Sequence, residues 1–127
     1  MAELSACGYV SHKEFEKLDI RVVTIKAAKQ HPTRQEYILS LDLGVEGKDF
    51  ESVVDLGKSY KLDKLIGKQC LAVINIVPEL SGEIESTAML LAAADAKGRI
   101  TLLKPDKKMV PGRPILGLMN STCTKME

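Results

Sequence analysis

The chain alternates between short apolar runs and polar stretches that contain glycine or proline, a pattern typical of an all-β domain. In the run 37–43 every second residue is Tyr or Leu, whereas Ser40 and Asp42 fall on the opposite face. Val, Ile and Thr, which favour strands, dominate the run 20–28. The pattern predicts strands at 20–28, 37–43, 50–54, 68–77, 88–93 and 99–103, with a loop at 78–85.

Two short helices are predicted between these strands. Ser11 and Glu14 have the spacing of a capping box, so 11–18 is predicted to be helical. Residues 62–66 suit one or two helical turns that end at Gly67. The strand 68–77 is apolar on both faces, which indicates a closed barrel or a covered sheet. We therefore expect a five-stranded Greek-key barrel of the OB-fold type, with a short N-terminal helix and a short helix between strands 3 and 4.

Composition narrows the class of protein. A chain of 127 residues with 45% hydrophobic and 28% charged residues is the size and type of a single globular domain. With no Trp and only five Phe or Tyr, the core must be aliphatic, and few rings are available to stack on bases. Three scattered cysteines give neither a zinc spacing nor a disulfide framework, so no metal or other cofactor is expected. Without a signal peptide or a long apolar run, we expect no membrane contact and a cytoplasmic location.

Charge is nearly balanced over the whole chain but not locally. The net charge is +1, so no general field attracts a polyanion. Residues 97–113, however, carry six basic residues and one acid, Asp106. Such a patch can hold a phosphate backbone weakly and with strong salt dependence.

Several segments together resemble the stand-alone tRNA-binding domain that is also appended to methionyl-tRNA synthetases and found in the endothelial monocyte-activating polypeptide. The resemblance covers about residues 14–115 of a single domain, 1–127, and rests on the order and spacing of short motifs. These are Glu14-Phe-Glu-Lys-Leu-Asp-Ile-Arg-Val, His31-Pro32, the run 37–43 before Gly44, Leu65-Ile-Gly-Lys, Val73-Ile-Asn-Ile, Ile84-Glu-Ser, Met89-Leu-Leu-Ala and Pro111-Gly. The resemblance implies an OB-fold, homodimerisation and binding of tRNA by shape more than by sequence.

The resemblance also implies which positions face the ligand. They are Asn75 in the fourth predicted strand, Ser86 and Met89 at the start of the fifth, and the basic residue Lys58 after the third. Each has a plainer interpretation: Asn75 as a residue bonded to backbone at a barrel end, Ser86 as a turn residue, Met89 as core packing and Lys58 as part of a solvated turn. Further candidates are Lys104 and Lys107, which could track phosphates or lie on a solvated loop.

One departure from the family changes the expected chemistry. The loop after the fourth strand is usually basic in the family, but 78–85 carries three acids and no base. Acids beside a phosphate-binding face weaken binding by about 1 kcal/mol or more per close pair. Arg34, in the turn after His31-Pro32, could replace the lost positive charge or lie on a mobile hairpin.

Two functional hypotheses follow. The first is a non-catalytic tRNA-binding homodimer that works beside an aminoacyl-tRNA synthetase. The second is a protein- or peptide-binding module that takes unfolded polypeptide, because some family members resemble export chaperones and the 78–85 loop is acidic. An enzyme has little support, since His12 and His31 lie in no nucleophile motif and no glycine-rich phosphate loop occurs.

Overall fold

The computed structural model describes residues 8–45 and 49–119. Helix α1 (His12–Phe15) precedes β1 (Ile20–Gln30), β2 (Tyr37–Asp42) and β3 (Asp49–Val54). A 3₁₀ helix (Leu62–Lys64) leads to β4 (Gln69–Val73), and short strands follow: β5 (Glu79–Ser81), β6 (Ile84–Ser86), β7 (Met89–Leu90), β8 (Ala92–Ala94) and β9 (Ile100–Leu102). The two predicted helices are therefore present, the second as a 3₁₀ turn.

Five antiparallel strands form a nearly closed, OB-like barrel in the order β3-β2-β1-β4-β7. Strand β1 is long enough to pair with two neighbours. A bulge between Ile25 and Ala27 bends it between the two pairings. Its first half pairs with β4 and its second half with β2. The barrel is closed where the backbone N–H groups of Thr87 and Ala88 donate to the carbonyl oxygen of Glu51, over 2.8 and 3.2 Å. The predicted fold class is confirmed.

Aliphatic side chains fill the barrel, as the composition requires. Val22 and Val23 of β1, Leu39 and Leu41 of β2 and Leu65 beside the 3₁₀ helix are completely buried. The alternation predicted for 37–43 holds for Leu39 and Leu41, and Ile38 on the other face is buried as well. Burying side chains on both faces of a strand is expected where the sheet curls into a barrel and other segments cover its outside.

Helix α1 begins with the predicted capping box. The backbone N–H of Glu14 donates to the Ser11 hydroxyl, and the backbone N–H of Ser11 donates to the Glu14 carboxylate. Both donor–acceptor distances are 3.0 Å. The helix spans only His12–Phe15, shorter than the predicted 11–18, and none of its residues is fully buried. The 3₁₀ turn is followed by Gly67 with φ +93°, as expected of a glycine that ends a helix.

The fourth strand is shorter than the sequence indicates. It ends at Val73, not at residue 77, because the chain bends at 75–76 and Val77 points into solvent with 83% exposure. The backbone N–H of Ile74 still donates to the carbonyl oxygen of Asp19, which continues the pairing with β1 by one residue before the bend. Asn75 is therefore outside the fourth strand, contrary to the prediction.

Two further predictions about the second half of the chain are wrong. Residues 78–85 are not an irregular loop, since β5 and β6 form a hairpin around Gly82, whose φ of +65° suits a tight turn. The predicted strand 88–93 is two strands, because β7 pairs with β4 whereas β8 pairs with β9. Leu91 separates them, and its N–H donates to the carbonyl oxygen of Leu71.

A C-terminal segment, 112–115, runs along the first residues of β1. The backbone of Val22 accepts from Gly112 over 2.7 Å and donates to Arg113 over 2.9 Å, and Ile115 donates to Ile20 over 2.8 Å. Gly112 has a φ of +95°, and a Cβ there would collide with the carbonyl oxygen of Leu43. The glycine of Pro111-Gly112 is thus needed for the close approach of this segment to the backbone of Leu43.

Candidate nucleic-acid interface

Among the open clefts on the described part of the barrel surface, three contain or adjoin charged residues. The hairpin cleft, about 540 Å³, lies between the 31–36 turn, β3 and the β5–β6 hairpin. The clasp cleft, about 480 Å³, lies between residues 16–21 and 112–115 and includes Asn75. The basic cleft, about 670 Å³, lies between Lys58 and Ser59 on one side and residues 95–101 on the other. Five of the seven predicted binding residues line one or another of these clefts.

The hairpin cleft brings together three predicted residues, Arg34, Ser86 and Met89. Met89 is 45% exposed, so it lines the cleft and is not packed in the core. The hydroxyl of Ser86 accepts the backbone N–H of Val53 over 3.2 Å and donates to the carbonyl oxygen of Ala88 over 3.3 Å. These bonds hold the β6–β7 connection against β3, so Ser86 has a structural role in closing the barrel.

The electrostatics of the hairpin cleft do not favour phosphate. Its charged lining residues are Arg34, Glu36 and Glu79, a balance of one base and two acids. The guanidinium of Arg34 is oriented by Glu36, with Nε 3.0 Å from Oε1. Apolar side chains open onto the same cleft, since Val77 and Leu80 are 83% and 72% exposed. The lining therefore suits apolar groups better than a polyanion.

Asn75 lies apart from these residues, in the clasp cleft. Its Oδ1 accepts the backbone N–H of Asp19 over 2.9 Å, and its Nδ2 donates to the carbonyl oxygen of Lys17 over 2.7 Å. Both ends of the amide are thus used to hold the segment between α1 and β1. This is the backbone-bonded interpretation of Asn75, although the side chain is exposed and not buried.

Lys58 lies in the basic cleft, together with Lys97 and Arg99, which the sequence placed only within a general basic patch. Tyr60, which follows this turn, is half-buried, and its hydroxyl accepts the backbone N–H of Leu102 at a distance of 3.0 Å. The amino group of Lys68 lies 5.9 Å from the centre of the Tyr60 ring, a cation–π distance. The hydroxyl of Tyr60 is therefore engaged within the fold, and Lys68 lies over its ring.

Lys104 and Lys107 are exposed on the segment after β9, and neither lines any of the three clefts. The seven predicted residues therefore do not converge on one site. Arg34, Ser86 and Met89 share a cleft, Asn75 and Lys58 each lie in another, and the two lysines lie in none.

Comparison with known proteins identifies the family. The model of the family described as "Putative tRNA binding domain" matches residues 20–114, which is most of the chain. The chain belongs to the tRNA-binding domain family. This membership agrees with the OB-like barrel, and it classes the chain with a binding domain and not with a catalytic one.

Relatives of this tRNA-binding domain occur within large enzymes and as separate proteins. The methionine–tRNA ligase of Thermococcus kodakarensis is 40% identical over 108 residues, which are 84% of this chain but only 14% of the ligase. The CsaA chaperone protein of Picrophilus torridus is 30% identical, with a TM-score of 0.75, over 84% of this chain and 99% of that one. The chaperone CsaA of Bacillus anthracis is 28% identical, with a TM-score of 0.76, over 85% and 99%.

The sequence did not reveal that His31 joins the 31–36 turn to the β5–β6 hairpin beside the hairpin cleft of the tRNA-binding domain. The imidazole is 3% exposed, and its Nε2 lies 2.9 Å from the carbonyl oxygen of Ser81. The Ser81 hydroxyl donates to the carboxylate of Glu36, which tethers the same two segments again. The only signal was the His31-Pro32 pair, whose proline indicated a turn but not the residue that would contact it across the barrel.

The tRNA-binding domain shows no sign of a metal site or a membrane span in its described residues. Within residues 8–45 and 49–119, no cluster of three or more His, Cys, Asp or Glu side chains is arranged to hold a metal ion. In the same part of the chain, no helix has the length and apolar character needed to span a bilayer.

Proposed function

We propose that this chain is a non-catalytic module that binds tRNA by shape and backbone, acts as a homodimer and serves an aminoacyl-tRNA synthetase in trans. The observation that carries the proposal is the family match over 20–114, which coincides with an intact barrel. A domain with few aromatic residues, and with Tyr60 engaged internally, favours phosphate and sugar contacts over base stacking.

Binding of tRNA is tested by fluorescence anisotropy with total tRNA at about 20 and about 150 mM salt, a range over which phosphate contacts weaken strongly. We expect measurable binding at low salt and a steep linear fall of log affinity with log salt. A chain that shows no binding at the lower salt concentration does not have this function.

The homodimer is supported by large apolar side chains that are exposed. Tyr9 and Val10 are 95% and 71% exposed, and Leu118 and Met119 are 77% and 62% exposed. The ring of Phe15 in α1 lies against Gly117, the residue before Leu118. Exposed apolar side chains of this size are better buried by a second copy than left in water. Sedimentation at micromolar concentration should give a dimer, and Leu118→Asp should give a monomer.

Action in trans is proposed because the chain matches two CsaA chaperones over 99% of their own chains, so a domain of this type also occurs outside a ligase. A separate tRNA-binding module could supply a ligase that lacks the appended domain with additional affinity for tRNA. Aminoacylation by such a ligase should then show a lower KM for tRNA when this chain is added, with kcat unchanged. An unchanged KM at saturating concentrations of the chain would contradict this part of the proposal.

A second function is favoured by the hairpin cleft, which is apolar and carries more acids than bases. Exposed Val77, Leu80 and Met89 could seat apolar side chains of an extended polypeptide, and chaperones are among the similar structures. The two functions are separated by competition, in which tRNA and an unfolded polypeptide are offered to the same protein. Leu80→Asp together with Met89→Asp should weaken binding of the polypeptide and spare binding of tRNA.

A further inference from the structure

We propose that Lys58, Lys97 and Arg99 form the site that holds the phosphate backbone of the bound RNA, at the basic cleft and away from the hairpin cleft. This inference rests on the proposed tRNA-binding function and names the residues that perform it. Lys97 and Arg99 come from the β8–β9 hairpin, whereas Lys58 comes from the turn after β3. The turns that carry them are about 40 residues apart in sequence and meet only in the folded barrel.

Charge distinguishes this cleft from the other two. The basic cleft carries three bases and one acid, Asp95, a balance of +2. The hairpin cleft has a balance of −1, and the clasp cleft carries three bases and two acids, a balance of +1. On a protein whose net charge is only +1, a polyanion is attracted to the place where positive charge is concentrated. The basic cleft is that place among the three.

The turn that carries Lys58 is fixed to the strand beside Arg99. The backbone N–H of Ile100 donates to the Ser59 hydroxyl over 2.8 Å, and that of Leu102 donates to the Tyr60 hydroxyl over 3.0 Å. Two consecutive side chains of the turn are therefore bonded to the backbone of β9. Because the turn cannot move away from β9, the backbone positions of Lys58 and Arg99 stay close together despite the repulsion between their charges. The hydroxyl of Ser59 also retains its own hydrogen to donate into the cleft.

The one acid of the cleft orients Arg99 and shapes the hairpin. The carboxylate of Asp95 accepts the backbone N–H groups of Lys97 and Arg99, each over 2.9 Å, and pairs with Arg99 Nε at 2.6 Å. The bonds from Arg99 hold the pKa of Asp95 below its ordinary value, so the pair stays ionised. Only Nε is engaged, and the Arg99 side chain is 71% exposed, which leaves its terminal nitrogens open to solvent and suited to a phosphate.

The test compares two double variants that change the net charge equally. Lys58→Glu with Lys97→Glu alters the basic cleft, whereas Lys13→Glu with Lys29→Glu alters two exposed lysines that line none of the three clefts. Affinity for total tRNA is measured by anisotropy across a salt series, and circular dichroism and sedimentation confirm that each variant keeps its fold and assembly. Neutral variants, Lys58→Gln with Lys97→Gln, separate loss of contacts from new repulsion.

We expect the basic-cleft reversal to weaken tRNA binding at least about tenfold and the control reversal less than about threefold. The neutral variant should lower the slope of log affinity against log salt by roughly 1.4 to 1.8, because two phosphate contacts are lost. Equal weakening by both reversals, or an unchanged slope, overturns this assignment while tRNA binding itself stands. A wild-type protein that binds no tRNA overturns the proposed function and this site with it.

Discussion

The imidazole of His31 and the carbonyl oxygen of Ser81 are joined across the mouth of the barrel, with Nε2 2.9 Å from the oxygen. The other ring nitrogen, Nδ1, accepts the backbone N–H groups of Thr33 and Arg34 over 3.1 and 3.2 Å. Since Nδ1 accepts, Nε2 carries the hydrogen and donates it to Ser81. One buried ring thus fixes both the 31–36 turn and the β5–β6 hairpin, which are the two walls of the hairpin cleft.

Replacing this ring should loosen the hairpin and destabilise the whole domain. His31→Ala removes three hydrogen bonds and leaves a cavity, so we expect the free energy of unfolding to fall by about 2–3 kcal/mol. Urea denaturation measures the loss, and hydrogen exchange should show faster exchange at residues 79–86. The control is His12→Ala, since His12 is exposed and its Nε2 lies as far as 3.9 Å from the Glu16 carboxylate. Equal effects of both variants would contradict the structural role of His31.

Asn75 is expected to behave as a structural residue and not as a direct RNA contact. Its amide bonds the backbone at Lys17 and Asp19. Asn75→Ala should lower the free energy of unfolding by about 1–2 kcal/mol, the contribution of two such bonds. At temperatures where both proteins are fully folded, affinity for tRNA should change less than about twofold by anisotropy. A large loss of affinity without a loss of stability would restore Asn75 to the RNA-binding site.

The architecture could be predicted from the sequence because it depends on local patterns. The alternation in 37–43, the capping box at Ser11 and Glu14 and the glycine after residue 66 each indicate an element without reference to distant residues. The strand 68–77 was predicted too long because its end depends on contacts with residues that are distant in sequence. Its apolar pattern continues to residue 77, but the chain bends at 75–76, where the Asn75 amide bonds the backbone at Lys17 and Asp19 across more than 50 residues.

The candidate binding residues were harder to predict than the fold because a sequence does not show which charges meet. Lys58 was singled out by the resemblance, yet its neighbours in the cleft, Lys97 and Arg99, lie about 40 residues away in sequence. Conversely, Ser86 and Asn75 look available in the sequence, but the fold engages their polar atoms in bonds to backbone. Residue type indicated what each side chain could donate or accept, and only the fold showed which groups remain free.

Gly112 should tolerate no side chain. Its φ is +95°, and a Cβ would strike the carbonyl oxygen of Leu43, so Gly112→Ala combines backbone strain with a clash. We expect a loss of about 2–4 kcal/mol in the free energy of unfolding, measured by urea or thermal denaturation. Gly98→Ala is the matched control, because Gly98 has a φ of +80° but nothing within 4 Å of the added Cβ. It should cost only the strain, about 1 kcal/mol. A Gly112→Ala protein no less stable than the control would show that the segment 112–115 can move away from Leu43.

Cys70 should make the domain sensitive to alkali. Its side chain is completely buried in β4, and burial raises the pKa of the thiol from 9.0 to about 12. Between pH 9 and 12 the unfolded chain releases this proton whereas the folded chain keeps it, so rising pH favours unfolding. The stabilisation is complete below pH 9 and is lost towards pH 12, with a slope of about 1.4 kcal/mol per pH unit from this one group.

A comparison of slopes isolates Cys70 from the lysines and tyrosines that titrate in the same range. The experiment uses a background with Cys7→Ser and Cys123→Ser, with and without Cys70→Ala, and follows urea denaturation from pH 8 to 11. Cys70→Ala should be less stable at pH 8, because it removes a buried sulfur, but the difference should shrink by about 2 kcal/mol by pH 10.5. Parallel curves would mean that the thiol ionises in the folded protein as readily as in the unfolded chain, which burial in a barrel without a nearby cation does not permit.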